Sequence, residues 1–265
     1  MVYRFLIQSR LAHLLSGLLL LSSAIYTETL SADLYWRGDF ETGNFTQWSH
    51  LLNPVGITLS REHKAQGRYA ARIAIQGKAE YLWNNNPDLN RVELQYRPDV
   101  RRIAEDSDLY FGWSFMLPAL FARGRHEFGY WESSPSYRQL TRFDLSGSTL
   151  SFRIGGRQKP LWESPKAIVV KQWHDIAMHV HWSTDPEKGY VSVWFDGELV
   201  VDKAQAQTLV PGDDHVFIQL GILRNLTDTV EEIYIDNAFE ASDIEEILTA
   251  QRQPAFDRKA AIKVH

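Results

Sequence analysis

The sequence predicts an all-β protein, one β-sandwich of roughly 230 residues with a single short helix near its C-terminus. Three observations predict it. Short runs of β-branched and aromatic residues recur along the chain, each bounded by Gly, Pro, Asp or Asn. Aromatic residues make up 12% of the 265 residues and include nine tryptophans, which suits packed sheets and also stacking on sugars. The chain shows no internal repeat, low-complexity tract or linker, and its 44% hydrophobic content can fill a core of this size.

The elements follow in order. Arg4 and Arg10 precede an apolar run, Leu11 to Leu21, which leads into the small residues Ser22, Ser23 and Ala24. A second small-residue site, Leu30-Ser31-Ala32, comes before Asp33. This order is that of a secretory signal. His13 and Ser16 interrupt the run, which is short for a bilayer span. Residues 1–32 are therefore expected to be a cleaved signal peptide. Residues 33–265 are expected to form one secreted or periplasmic domain, free of the membrane and monomeric. Strands are expected at 69–75, 79–83, 92–96, 109–117, 126–133, 149–156, 174–182, 190–197, 216–223 and 231–241. Residues 242–252, "SDIEEILTAQR", read as a helix capped by Ser242, with Glu245 three places on.

The chain has no cysteine, which removes thiolate metal sites and a cysteine nucleophile and leaves stability to the core. Formal charge is −5; residues 1–32 hold Arg4, Arg10 and Glu28, so their removal gives −6. No basic block stands out, which argues against nucleic acid as a partner. A polyanion would have to be met by local arginines.

Two stretches carry the candidate chemistry. In "RVELQY", residues 91–96, Arg91, Glu93 and Gln95 alternate with Val92, Leu94 and Tyr96, so three polar groups share one strand face. The pair Arg91 and Glu93 is either a surface salt bridge, worth about 0–1 kcal/mol on an open face, or the lining of a groove. In the hairpin 174–197, Ile176, Met178, Val180 and Trp182 point one way, as do Val191, Val193 and Phe195 across the turn. The opposite faces present His179, His181, Tyr190 and Trp194, rings that can stack on sugars and imidazoles that can move protons. An ordinary wet sheet covered by a loop would show the same pattern. His174 shares the inward parity and reads as a core histidine. His50, His63 and His215 have no evident partner.

Four segments in this order resemble secreted polysaccharide lyases of the heparin lyase I-like and alginate lyase-like jelly-roll group. They are "DFETGNFTQW" (39–48), "LYFGWSFMLP" (109–118), "QWHDIAMHVHWSTDPEKGYVSVWFDGELV" (172–200) and "IYIDNAFEA" (233–241). The resemblance implies a concanavalin A-like jelly roll with a concave groove and β-elimination on an acidic, uronate-containing polysaccharide. A cation neutralises the C6 carboxylate, a base removes the C5 proton and an acid protonates the departing oxygen. The Arg-x-Glu-Leu of alginate lyases is matched by Arg91, Glu93 and Leu94. This implies that Arg91 faces the substrate carboxylate and Glu93 holds its guanidinium.

Two other family signatures read differently here. Gln-x-His on a central strand becomes Tyr130-x-Glu132, with His126 assigned to the same face by alternation. Gly-x-Tyr becomes Gly221-Ile222-Leu223, followed by Arg224. Proton transfer is then expected from Tyr130 with His126, His179 or His181, and substrate contacts from Glu93, Glu132, Tyr190, Trp194 and Arg224. In related sandwiches an early acid and one on the last strand hold a structural Ca2+, which assigns Glu41 and Asp236 here, with backbone carbonyls near Gly43. A turn carboxylate and a loop-capping Asp would read the same way. The sequence thus leaves three functions in order: a lyase, a noncatalytic carbohydrate-binding sandwich, and a glycoside hydrolase. The acids of "EEIYIDNAFE" lack the spacing of a hydrolase pair.

Overall fold

The computed structural model describes residues 34–77, 81–83, 86–155 and 157–252. The expected signal peptide lies outside them. In chain order the strands are β1 (Leu34–Gly38), β2 (His50–Leu52), β3 (Ile57–Ser60), β4 (Ala70–Ile75), β5 (Leu82–Trp83), β6 (Asn86–Tyr96), β7 (Ser107–Met116) and β8 (His126–Ser134). They continue as β9 (Gln139–Ser146), β10 (Thr149–Ile154), β11 (Trp162–Ser164), β12 (Trp173–Trp182), β13 (Tyr190–Phe195), β14 (Glu198–Gln205), β15 (His215–Asn225) and β16 (Glu231–Ala241). One helix, α1 (Ile244–Arg252), follows.

These strands make two antiparallel sheets. The first runs β14-β13-β12-β7-β16-β4-β3, with β1 also on β16. The second runs β11-β10-β9-β8-β15-β6-β2, with β5 also on β6. Between them lies one apolar core, in which Phe115, Trp113 and Trp182 from the first sheet meet Phe128, Phe143 and Trp131 from the second. Each fully buried side chain of this size contributes about 1.5–3 kcal/mol, so this layer holds the sheets face to face.

The expected strands lie on these sheets, except that of 79–83 only β5 is a strand, with residues 79, 80 and 156 outside the described residues, and the inward parity of Ile176, Met178, Val180 and Trp182 holds. His174 is buried as expected. Its Nδ1 is 2.8 Å from Asp196 Oδ2, and its Nε2 accepts the Val169 N–H at 3.1 Å. The strands that the sequence did not announce are β1, β2, β3, β9, β11 and β14. Most are short or carry charged residues at alternate positions, so their apolar signal is thin. The helix cap also differs. Asp243 accepts the Glu245 N–H at 2.7 Å, so the capping residue is one place later than Ser242.

Helix α1 packs Ile247 and Leu248 on Ala177 and Phe239, on the outer face of the first sheet. Gly112 permits this approach, since a Cβ there would stand 2.2 Å from Ile247 Cγ2. At the other end of α1, Gln66 Nε2 donates to the carbonyls of Ala250 and Gln251, which the last helical turn leaves unpaired.

Candidate active site

The outer face of the second sheet is polar in its middle, yet that middle is buried. In β6, alternation turns Val92 and Leu94 into the core and Arg91, Glu93 and Gln95 outward. The outward residues are nonetheless nearly sealed, with Arg91 8% and Glu93 0% exposed. Of the two readings open to the pair, this sets aside the solvated surface salt bridge. Glu93 accepts from Arg91 Nε, and Arg91 Nη2 donates to Tyr130 OH at 3.0 Å and to Gln219 Oε1. Tyr130 OH in turn donates to Glu93 Oε2 at 3.1 Å. Gln219 Nε2 donates to Glu132 Oε2 at 2.6 Å. Five side chains from β6, β8 and β15 thus form one connected cluster.

Cross-strand register explains why they meet. Directly opposed residues share a face. His50 opposes Gln95, Gln95 opposes Gln219, Gln219 opposes Tyr130, Tyr130 opposes Arg142, and Arg142 opposes Arg153. This is one transverse row, five strand steps or roughly 24 Å long. Tyr130 also reaches Arg91 and Glu93 across β15. Gly221, opposite Glu93, leaves that path open. A Cβ there would lie 2.3 Å from Val92 O, and its φ of +154° is one that side-chain-bearing residues rarely adopt.

Burial sets the protonation states. It pushes the Tyr130 phenol well above its ordinary range, and the Glu93 carboxylate pushes the same way. Tyr130 is therefore held neutral. Burial also raises Glu132 to about 7, with Arg91 opposing and Glu93 reinforcing the shift. Burial raises Glu93 too, against the Arg91 charge. Glu132 remains partly accessible on the face, so a carboxylate that titrates near neutrality stands beside a protonated phenol.

His126 is not on this face. The ladder between β8 and β9 shifts register between Glu127 and Gly129. Phe128 points into the core, and a Cβ on Gly129 would point there too, toward Trp113. This β-bulge reverses the alternation, so Glu127 shares the face of Tyr130 and His126 turns away. His126 Nε2 lies 2.9 Å from Glu231 Oε2, and Arg224 Nη1 donates to the same carboxylate. Arg224 Nη2 donates to Thr229 O at 2.6 Å. His126 and Arg224 thus form a buried knot that fixes the turn between β15 and β16.

His179, His181 and Tyr190 do share one face, but on the first sheet, across the core from Tyr130. His179 Nε2 and His181 Nδ1 lie 2.6 and 3.0 Å from the same Asp108 oxygen. Tyr110 stacks on His179 at 4.3 Å and Tyr190 on His181 at 5.0 Å. Trp194 packs into the small cluster under α1.

Glu41 and Asp236 both hold the loop before β4. Glu41 Oε1 accepts the N–H groups of Arg68 and Tyr69 at 2.7 and 2.9 Å. Asp236 Oδ2 accepts those of Ala65 and Gln66, and Oδ1 that of Asn237. Among the described residues no group of three or more His, Asp or Glu side chains converges as metal ligands do. The two carboxylates would supply only part of the roughly six to eight oxygens that Ca2+ takes, and backbone carbonyls would have to complete the shell.

Sequence reasoning missed Gln219, Glu127, Arg142 and Arg153 on the face of Tyr130. Gln219 alone had a signal, at an outward parity in "VFIQLGIL". It also left His50 without a partner. Register places it at the end of the Tyr130 row, three strand steps or roughly 14 Å along the sheet from Tyr130.

Residues 40–238 match the family model described as polysaccharide lyase. No curated protein matches the chain. The endo-β-1,4-glucuronan lyase from the fungus Trichoderma reesei is similar in structure, with a TM-score of 0.63 at 14% identity, covering 81% of this chain and 98% of that one. The catalytic domain of a glycoside hydrolase family 131 protein from Coprinopsis cinerea gives 0.56 at 17% identity, covering 80% and 97%. The alginate lyase vAL-1 from Chlorella virus gives 0.55 at 13% identity, covering 80% and 100%. At these identities the three likenesses establish a common jelly-roll sandwich, and the fold alone. The family match, which spans well over half of the sequence, goes further: the chain belongs to the polysaccharide lyase family.

Proposed function

We propose that this lyase cleaves a 4-linked, uronate-containing polysaccharide by β-elimination at the Tyr130–Glu132 pair. One observation carries the reading. A phenol kept protonated and a carboxylate titrating near neutrality lie side by side on one face, bound into a network with a buried arginine. β-Elimination needs one group to accept a proton and another to give one.

Glu132 accepts the C5 proton of the uronate. The C5–H electron pair becomes the C4=C5 double bond, and the C4–O4 pair leaves with the oxygen. Tyr130 turns its O–H from Glu93 Oε2 to that oxygen and gives it the proton, and Arg91 Nη2, already donating to Tyr130 OH, stabilises the phenolate left behind. The proton on Glu132 returns to Tyr130 through solvent. Arg91 also supplies the positive charge that offsets the sugar carboxylate, acting through Tyr130 and Gln219, to which it donates. Glu93 orients the guanidinium. Gln219 accepts from Arg91 and donates to Glu132, so it positions the base. Glu132 and Gln219 thus take over the work of the family's Gln-x-His. The reading places the enzyme outside the cytoplasm, where such polymers are met. No helix among the described residues is long and apolar enough to cross a membrane.

The test is to incubate the purified enzyme with alginate, glucuronan and heparin-type chains and follow ultraviolet absorbance of the unsaturated uronate. Absorbance that grows with at least one chain and disappears in Tyr130→Phe supports the proposal. New reducing ends without absorbance would mean hydrolysis and overturn it.

A further inference from the structure

The row that carries Tyr130 continues beyond the proposed chemistry to Arg142 on β9 and Arg153 on β10. A hollow lies there, lined by these two arginines, Arg125, Asp144, Glu163 and the small residues Gly124, Ser146, Thr149 and Ser151. The three guanidiniums are fixed from beneath. Glu127, fully buried, accepts from Arg125 Nε and Nη2, from Arg142 Nη1 at 3.2 Å and from Gln139 Nε2. Asp144 Oδ2 accepts Arg142 Nε at 3.1 Å and Arg153 Nε at 2.8 Å. Two carboxylates therefore hold three cations by their inner edges. Among the described residues, Nη2 of Arg142 and of Arg153 has no hydrogen-bond partner. Asp144 Oδ1 is likewise buried and unpartnered.

We propose that Arg125, Arg142 and Arg153 form a second anionic subsite that receives the carboxylate of a sugar farther along the chain than the two flanking the bond broken at Tyr130. This rests on the uronate reading of the active face. Guanidiniums present paired N–H groups that match a carboxylate, and a fan already held in place loses little side-chain freedom on binding. Arg153 is two strand steps from Tyr130, roughly 10 Å, so a chain lying across the strands reaches both places. The small residues leave room for a sugar ring against the arginines. Glu163 on β11 closes the far rim and opposes an anion there. The fan therefore favours the side of the hollow nearer Tyr130.

The experiment compares wild type, Arg153→Ala and Glu163→Gln, each matched for melting temperature, on glucuronan and on its shortest cleavable oligomer. Arg153→Ala should raise KM on the polymer about tenfold and weaken the salt dependence of KM, because one fewer cation meets the chain. The KM increase should shrink on the short oligomer, which does not span both places. Glu163→Gln should lower KM on the polymer. Affinity electrophoresis in gels containing glucuronan, or alginate, reads binding without turnover. Retardation should fall for Arg153→Ala and rise for Glu163→Gln. If both variants migrate and turn over as wild type does, the subsite does not exist. If wild type cleaves no uronate polymer, the proposed reaction fails. Gel retardation then still decides whether the arginines bind the anionic chain.

Discussion

Arg91 and Glu93 pair where water scarcely reaches, on the outer face of the second sheet. Arg72 and Glu232 form the same kind of pair on the outer face of the first, with both side chains partly in solvent. The contrast extends to proton-transfer groups. On the second sheet, burial brings Glu132 to about 7 and keeps Tyr130 protonated. On the first sheet, burial lowers His179 while Asp108, half in solvent, opposes the shift. Residue types that promise chemistry occur on both faces. On the second, five of them form a network nearly sealed from water, while on the first the imidazoles share Asp108, which stands half in solvent, and desolvation is what changes a group's readiness to move a proton. Histidines alone point to the first sheet, the coupled network to the second.

The largest effects should come from breaking the active face. Tyr130→Phe and Glu132→Gln are each expected to cut elimination about 100-fold or more, measured as initial rates of unsaturated product. His179→Ala and His181→Ala, on the opposite face, should stay within about twofold. Equal losses on both faces would dissolve the contrast.

Next comes stability. Arg91→Ala leaves the Glu93 carboxyl buried without its counter-charge, and should cost about 3–5 kcal/mol in urea unfolding. Arg72→Ala, on the solvated pair, should cost about 0–1 kcal/mol. Similar costs would mean that the two pairs share one environment.

The pH dependence sharpens the difference further. A base near 7 gives kcat/KM an acidic limb around pH 7, which Arg72→Ala should leave in place. The stability sign runs the other way. Glu132 has a folded value above its unfolded one, about 4.3, so its contribution is complete below that pH and is lost as pH rises through 7. Glu132→Gln should therefore gain stability relative to wild type at pH 8 and not at pH 4. Thermal melts at the two pH values check this.

The smallest effect concerns the loop held by Glu41 and Asp236. If these carboxylates share a Ca2+ as proposed from sequence, calcium at a hundredfold excess over Kd stabilises by about 2.7 kcal/mol, and chelator should lower Tm by several degrees. An unchanged Tm together with no ion by metal analysis would leave the carboxylates as anchors for backbone N–H groups.

Much of the fold was legible in the sequence because its signal is local. The aromatic and β-branched runs marked the central strands, and alternation gave the correct faces for Arg91, Glu93, Ile176 and Val193. The alternation in "RVELQY" also placed Arg91 and Glu93 on the face that Tyr130 shares. Three features escaped because they depend on distant partners. Alternation gives a strand two faces but does not say which sheet it joins, so the imidazoles of β12 were grouped with Tyr130 on β8. Burial of an outward face depends on what surrounds it, so Arg91 read as exposed. Gln219 and Arg142 became functional candidates only when register placed them beside Tyr130.

The bulge at Phe128 and Gly129 is a half-period phase shift in a two-residue wave. Upstream of it, every outward position carries the opposite parity from the downstream reading. Segments spliced into β8 from a relative would need to carry the same dislocation at the same place. A single-residue deletion there would bring His126 onto the face of Tyr130 and send Glu127, with its hold on Arg125 and Arg142, into the apolar interior. One extra residue thus separates a strand that presents a carboxylate anchor from one that presents an imidazole.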